Sequence, residues 1–285
     1  MKQYLAIVLI LTGFLVFAQR SFCQTFTNDA SDKEKHFIYQ VKQIDEFFER
    51  FNNDSASFVR QVYKTHNTKF NVDRKKLIRS LFNYENKNWS KSLIDSFVAK
   101  GLKVEMPSSK NWYGDNWFAE ANCRFRYNST VIEIPVILKI VTDEKKRFKW
   151  VIAGVRQSLL KESDNSNTPI TIRKIKTNFI NPADHGTNFI ELENAFNEKD
   201  HLSDYFENSF FYRKNAVQFY HALITNKIKF LFVKDVKYHF LNVNGFVFTV
   251  EYFPRESLYS GWLVNSLKAC TSREMEKYKT ILLGE

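Results

Sequence analysis

The sequence predicts an α+β protein made of two consecutive units, each with helices first and a curved antiparallel sheet after them. Three observations carry this prediction. Residues 117–155 alternate in polarity over three successive segments, the period-two pattern of half-buried antiparallel strands. Helical spacing dominates the residues before them. The same order, helices and then strands, returns after a polar break at 161–170.

The first segment is an export signal. Lys2 supplies the positive start, and Leu5 to Phe17 is an apolar run interrupted only by Thr12 and Gly13. Small residues precede two cleavage points, ahead of Gln19 or of Gln24. The run is short for a bilayer span, with a retained N-terminal anchor as the alternative. Phe22 before Cys23 argues against lipidation. Residues 1–23 therefore read as a signal peptide, 24–160 as the first domain, 161–170 as a linker and 171–285 as the second domain. An exported protein, periplasmic or at the cell surface, is expected, with no transmembrane segment in the mature chain.

In the first domain, Ser31-Asp32-Lys33-Glu34 matches a capping box. Phe37, Val41, Ile44, Phe48 and Phe51 then recur at helical spacing. Asp54 can cap a second helix with Phe58, Val62 and Tyr63, and Asp73 a third with Leu77, Ile78, Leu81 and Phe82. A fourth holds Trp89, Leu93, Ile94, Phe97 and Val98 and stops at Gly101, a C′ glycine. Lys103 to Met106 reads as a short strand. The sheet follows: Ala119, Ala121, Cys123, Phe125 and Tyr127 share one face, and Glu120, Asn122, Arg124 and Arg126 the other. Asn128-Ser129 turns into the strand Val131–Val141. Pro135 cannot donate to a ladder, so that strand is an edge there or is bulged. Phe148–Val155 is the third strand.

The second domain opens with the turn Asn181-Pro182-Ala183-Asp184-His185-Gly186. Thr187 can cap a helix holding Phe189, Ile190, Leu192, Ala195 and Phe196, and a longer helix spans Phe210 to Ile224. Strands are expected at Ile228–Val233, Val236–Val243, Phe246–Phe253 and Gly261–Leu267, with Asn244-Gly245 as a strong hairpin turn. Thr271 to Leu283 closes the chain as a helix.

Helices followed by a strongly bent antiparallel sheet resemble the nuclear transport factor 2-like, cone-shaped (cystatin-like) fold. The residues that carry the resemblance are the helix Ile44 to Asn52, the strand Trp117 to Ala121 and the hairpin end Phe148 to Val155. Gly245–Tyr252 and Ser260–Val264 resemble pieces of a divergent second copy. The chain is similar to exported bacterial proteins with two such domains. That superfamily includes isomerases, dehydratases, small-ligand binders and interaction modules, so the resemblance implies a fold more than an activity.

Composition narrows the function classes. Hydrophobic residues make up 44% and aromatics 16%, with 28 Phe, so a large aromatic core is expected. Net charge is +11, and removal of Lys2 and Arg20 with the signal leaves about +9. The basic groups Arg74-Lys75-Lys76, Lys145-Lys146-Arg147 and Arg173-Lys174-Ile175-Lys176 are short and scattered, so a solvated surface is favoured over a polyanion site. No nucleic-acid partner is expected. Outside the signal only Cys123 and Cys270 remain, and a disulfide between them stays open. Dinucleotide, phosphate-loop, zinc-protease, nucleophile-elbow and EF-hand motifs are absent, so no cofactor or metal is expected.

The candidate ligand-binding residues are few. Asp184 and His185 can form an acid–base pair, with local turn chemistry as the plainer reading. Trp112, Tyr113 and Trp117 can line a cone mouth, with packing as the plainer reading. Arg124 and Arg126 face the cone or solvent. Glu251, Arg255, Tyr259 and Trp262 flank a hairpin end. His201 and Asp204 are at i, i+3, which suits a metal or a solvated helix face, and His239 points away from Tyr238 and Phe240 toward the sheet surface. The leading expectation is a non-catalytic binding or assembly module of the cell envelope, whose partner is another envelope protein or a small ligand. The alternatives are an isomerase- or hydrolase-like enzyme with an Asp/His site in a cone, and a polyanion or membrane-surface binder.

Overall fold

Alternating polarity produces one antiparallel sheet of six strands in the order β3-β2-β1-β4-β5-β6. The structure, a computed structural model, describes residues 41–54, 61, 73–107, 116–142, 147–157, 178–255 and 260–285. The strands are β1 (Trp117–Tyr127), β2 (Thr130–Thr142), β3 (Phe148–Val155), β4 (Ile228–Phe240), β5 (Phe246–Phe253) and β6 (Gly261–Ala269). The sheet is strongly curled, a half-barrel with helices in its concavity, so the chain is α+β. The described residues fall in one unit, Ile38–Glu285. The expected signal, the capping box at Ser31, the expected helix after Asp54 and the expected linker at 161–170 lie outside the described residues, apart from Asp54 and Gln61.

Each half of the chain contributes a three-stranded meander, and β1 and β4 pair antiparallel to join them. The helices exchange. Phe97 of α3 (Lys91–Gly101) packs edge-on against Phe246 and Phe248 of β5, at 5.4 and 5.2 Å between ring centroids. In the other direction, Phe196 of α4 (Leu192–Asn197) and Phe219 of α5 (Lys214–Ile224) pack on Phe125 of β1, and Phe189 packs on Trp150 of β3. Helices from each half thus cover strands of the other. The sheet edges are closed the same way: Val41 and Phe82 bridge to β6, and Ile180 and Phe206 bridge to β3. Such bridges cover part of each edge strand, where a foreign strand could otherwise add.

Local chemistry explains most element boundaries. The Asp73 side chain accepts from Lys75 N at 2.9 Å and caps α2 (Arg74–Ser80). Asn128 and Asn244 take left-handed φ angles of 54° and 50° at the two hairpin turns. Val243 and Phe246 exchange both backbone bonds around Asn244-Gly245. Pro135 lies at the end of the β2–β3 ladder: the paired rungs begin at Val136, and toward β3 Pro135 contributes only its carbonyl, which accepts from Arg156 N at 3.0 Å.

Several expectations are corrected. The two strands expected at 228–233 and 236–243 are one strand, β4, whose register against β1 shifts at Asn122/Cys123 and Arg124/Phe125. Bulges there break the alternation without breaking the strand. Gly101 ends α3 but is no left-handed cap; an added Cβ would stand 3.2 Å from Phe51 Cζ of α1 (Ile44–Asn52), so close packing calls for glycine. The helix ends are tied instead by the Arg74 guanidinium, which donates to the carbonyls of Phe51 and Leu102 at 2.8 and 3.1 Å. Residues 103–106 form no strand; Met106 is held by Asn52 through two bonds. Thr187 caps no helix. It closes a 3-10 turn over Pro182–Thr187, and α4 begins only at Leu192. The long helix is a 3-10 turn at Asn208–Tyr212 and α5, broken where Arg213 is extended.

The concave face of the sheet is filled by side chains. Trp117 stacks on Phe240 at 5.9 Å and meets Trp150 edge-on at 4.9 Å, and Phe48 of α1 meets Trp117 edge-on at 5.6 Å. Ala119, Ala121 and Cys123 leave the space these rings occupy along β1. On the other face, α6 (Ser272–Leu283) begins with a complete capping box between Thr271 and Glu274. It seats Met275, Leu282 and Leu283 on a second core of Phe118, Ile137, Leu241 and Val247. Among the described residues both cysteines are free, Cys123 in the concave core and Cys270 beside the core under α6.

Candidate functional site

Among the described residues the sheet parts between β4 and β5. Pairing of β4 with β5 covers only Lys237–Phe240, ending at the pair Lys237↔Glu251. Below it β4 stays with β1 down to Ile228, while β5 continues with β6 to Phe253. A strand that follows one neighbour and leaves the other opens a wedge in the sheet. The wedge is a cleft of about 730 Å³.

Two segments brought in from far away wall the cleft. At the start of β6, Gly261 has φ +89°, and a Cβ there would lie 2.0 Å from Val41 O. Glycine lets the chain at Val41 run alongside, bonded by Trp262 N to Val41 O at 2.8 Å, which carries Lys42, Gln43 and Ile44 to the rim. From the other side comes the 3-10 turn. Its exit residues Asn188 and Phe189 both have positive φ, 54° and 59°. Such a conformation is costly for a bulky residue. Phe189 is held there by complete burial against Trp150 at 5.1 Å. The turn then presents His185, Gly186 and Asn188 to the cleft.

Charge lines the β4 wall. Lys234 and Asp235 sit at the bulge, and Lys237 and Glu251 mark the last paired rung. These charges are already partnered. Lys237 Nζ is 3.4 Å from Glu251, whose carboxylate also accepts from Asn265 at 3.0 Å. Asn122 donates to Asp235, and Lys234 lies between Asp235 and Glu133. The opposite wall is aromatic. Trp262 is packed between Tyr238 and Tyr252, at 5.2 and 5.5 Å, and Tyr252 is 49% exposed.

His185 is the buried histidine of this cleft, 2% exposed. Its Nδ1 donates to Pro182 O at 2.6 Å, its Nε2 is 3.1 Å from an Asp45 carboxylate oxygen, and its own carbonyl accepts from Tyr238 OH at 3.0 Å. Asp184 does not share the site with it. Its carboxylate accepts from Thr187 Oγ1 at 2.6 Å and Glu191 N at 3.1 Å, which is turn chemistry. Burial pushes its carboxyl above the usual range, against those two bonds.

The other candidates go elsewhere. Trp117 is 2% exposed in the concave core and lines no mouth. Arg124 and Arg126 lie on the outer face of β1; Arg124 pairs with Glu133 across the strand pair, and Arg126 is exposed. Trp112, Tyr113 and Tyr259 lie outside the described residues. Arg255 pairs with Glu85 at 2.8 Å, stacked 4.4 Å over Phe253. Asp204 is fully buried rather than on a solvated face, accepting from Asn178 N at 3.3 Å, with His201 3.7 Å away.

His239 departs most from expectation. It does point to the outer face, but α6 covers that face, and His239 is 4% exposed. Its Nε2 donates to Glu120 Oε2 at 2.9 Å, and its Nδ1 accepts from Tyr278 OH at 2.7 Å. Arg156 pairs with the second Glu120 oxygen. Burial works to raise the Glu120 carboxyl, but the His239 bond and the neighbouring Arg156 and Lys237 outweigh it and leave it lowered. Burial lowers the His239 ring against the pull of Glu120, and lifts the Tyr278 phenol to about 12. Neutral imidazole between carboxylate and phenol satisfies every one of these bonds.

Sequence reasoning missed Lys42, Asn122, Lys234, Asp235, Lys237, Asn188 and Tyr252. One local signal was present: the adjacent charges Lys234-Asp235 inside an alternating run mark a bulge, and bulges gather at functional edges. Among the described residues no three metal-binding side chains converge, and no helix is long and apolar enough to cross a membrane. The class of protein defined here is an α+β half-barrel with an aromatic-filled concavity and a mixed polar and aromatic cleft at a split in its sheet. Comparisons with family models, curated proteins and solved structures find no match.

Proposed function

We propose that the protein is a non-catalytic binding module of the cell envelope that holds a small polar ligand in the cleft between β4 and β5. The observation that carries this reading is the cleft itself. Its volume, about 730 Å³, is that of ordinary small-ligand sites, and polar groups from five separate segments converge on it. The groups best suited to acid–base work support a binding role. Asp184 is spent in its own turn, and both His185 ring nitrogens already face an oxygen. The envelope location rests on the apolar run at Leu5–Phe17 with its small-residue cleavage points. The mirrored strand order and exchanged helices support a further reading, that the halves are two copies of one cone-like unit fused through β1 and β4.

The test is a thermal-shift screen of the purified protein against small polar molecules. Hits should raise the Tm of the wild type and fail to raise that of the double variant Lys237→Ala, Tyr252→Ala. Hits that stabilise both proteins equally, or no hits, would remove the cleft as the binding site. Recovery of the protein in the cytosolic fraction of its cells would remove the envelope location.

A further inference from the structure

Resting on that reading of the cleft, we propose that its ligand is a carbohydrate, a neutral oligosaccharide whose sugar ring lies on Tyr252. Charge bookkeeping is the first argument. The lining carries Lys42, Lys234 and Lys237 against Asp235 and Glu251. The acids are already engaged, Asp235 with Asn122 and Glu251 with Lys237 and Asn265. An anion entering here meets two carboxylates, and a cation meets three ammonium groups. A neutral polyol meets neither penalty. Each of its hydroxyls both donates and accepts, and so can bond to a lysine, an amide or a carboxylate in turn.

The second argument is the aromatic wall. Tyr252 is half-exposed at the lip and is propped from behind by Trp262, which is itself 6% exposed and packed on Tyr238. A ring supported on one side and open on the other offers a flat, weakly apolar face beside polar groups. A pyranose has that same division, with apolar C–H groups on its faces and hydroxyls round its edge. A planar heteroaromatic ligand would need a narrow apolar slot, and the facing wall here is charged.

The third argument is order. The polar groups are held before any ligand arrives. The Lys237–Glu251 pair closes the last rung of the β4–β5 ladder, and Asn122 is fixed by Asp235 across the β1–β4 bulge. Groups already held in place lose little freedom on binding, which favours a ligand recognised through many weak bonds.

The test uses the purified protein on an oligosaccharide array of neutral and uronic-acid glycans, with calorimetric titration of the neutral trisaccharides that bind. Inorganic phosphate and citrate are titrated beside them. At least one neutral oligosaccharide should bind. Tyr252→Ala should weaken it by about tenfold or more, and Tyr252→Phe, which keeps the ring face, should bind within about threefold of wild type. Unchanged Tm in both variants shows that folding is not the cause. Binding of phosphate, citrate or acidic glycans alone, abolished by Lys237→Ala, would overturn the neutral-sugar assignment and leave the cleft standing. Equal loss in Tyr252→Phe and Tyr252→Ala would overturn the stacking. Absence of any glycan binding would overturn the carbohydrate class, and the thermal-shift screen then reports separately on the cleft.

Discussion

Lys237 and His239 are two residues apart on β4 and point to the same face of the sheet, yet they live in different worlds. His239 lies under α6, buried between Glu120 and Tyr278. Lys237 stands at the last rung before β4 leaves β5, with its ammonium at the mouth of a cleft. The alternation that aimed both side chains outward is the same. The difference is a covering helix for one and a parted strand for the other. Polar groups on one sheet face are thus sealed into a buried network under the helix and stay within reach of solvent where the strands part.

The comparison breaks most severely if the sealed network is weak. Replacing Glu120 with Leu removes the acceptor of His239 and the partner of Arg156 inside a site where both Glu120 and His239 are almost fully buried. Breaking a buried pair from one side costs about 3 kcal/mol or more. The urea midpoint should fall accordingly, and a loss under about 1 kcal/mol would mean that α6 is held by its apolar contacts alone. A second substitution attacks the lid directly. An added Cβ on Gly154 of β3 would stand 2.5 Å from Leu283 O and 2.9 Å from Leu283 Cα, backbone atoms at the end of α6. Gly154→Ala should therefore cost about 2 kcal/mol and raise hydrogen exchange along α6. Protection of α6 unchanged from wild type would show that the helix end shifts freely.

The same network sets a pH window. The folded His239 value lies below its ordinary 6.5, so the unfolded chain takes up a proton first as pH falls past that value. Its contribution is complete above about pH 6.5 and is lost below it. Glu120 is also depressed, so its contribution is full above the ordinary 4.5 and fades as pH falls through the folded value. Tyr278 runs the other way. Its phenol is raised from 10.0 to about 12, so stability declines as pH rises across that interval. The groups facing this network are Glu120, Arg156, Lys237, Glu251, Cys270 and Tyr278. Wild-type Tm should fall on both sides of the window between about 6.5 and 10, and the acid limb should flatten in a His239→Gln variant. An acid limb of equal slope in that variant would assign the effect to other carboxylates.

How much of this was legible in the sequence depends on the range of the forces involved. The strands at 117–155, the Asn244-Gly245 turn, the Asp73 cap and the ladder-end position of Pro135 follow from neighbours within a few residues, and the sequence displays them. His239 was correctly aimed, because alternation is local, but its cover comes from a helix more than thirty residues on. Trp117 reads as a core residue with a mouth position as the alternative, and the rings of Phe48, Trp150 and Phe240 around it decide for the core. Which helices cover which strands is a tertiary choice, and here the halves exchange cover. Of the candidate set, His185, Glu251 and Trp262 do meet in the cleft. Asp184, though adjacent to His185, turns inward to its own loop. The remaining lining groups come from Lys42, Asn122, Asn188 and the Lys234 bulge, and no local pattern links segments so far apart.

The smallest expected effect is the sharpest test of the contrast. Lys237 is part of one ion pair at a partly exposed rung, its side chain 31% accessible and its partner Glu251 27%. Water can replace that ammonium around Glu251, and Asn265 still donates to the carboxylate. Lys237→Ala should therefore change stability by no more than about 0.5 kcal/mol. His239→Ala, two residues away on the same face, removes the donor to a buried carboxylate and should cost several times that. Measured side by side in urea, the pair asks whether burial or residue type decides what a polar group on this face contributes. Near-equal losses would mean that the cleft wall is as structural as the sealed network, and that its charges hold the sheet together rather than wait for a ligand.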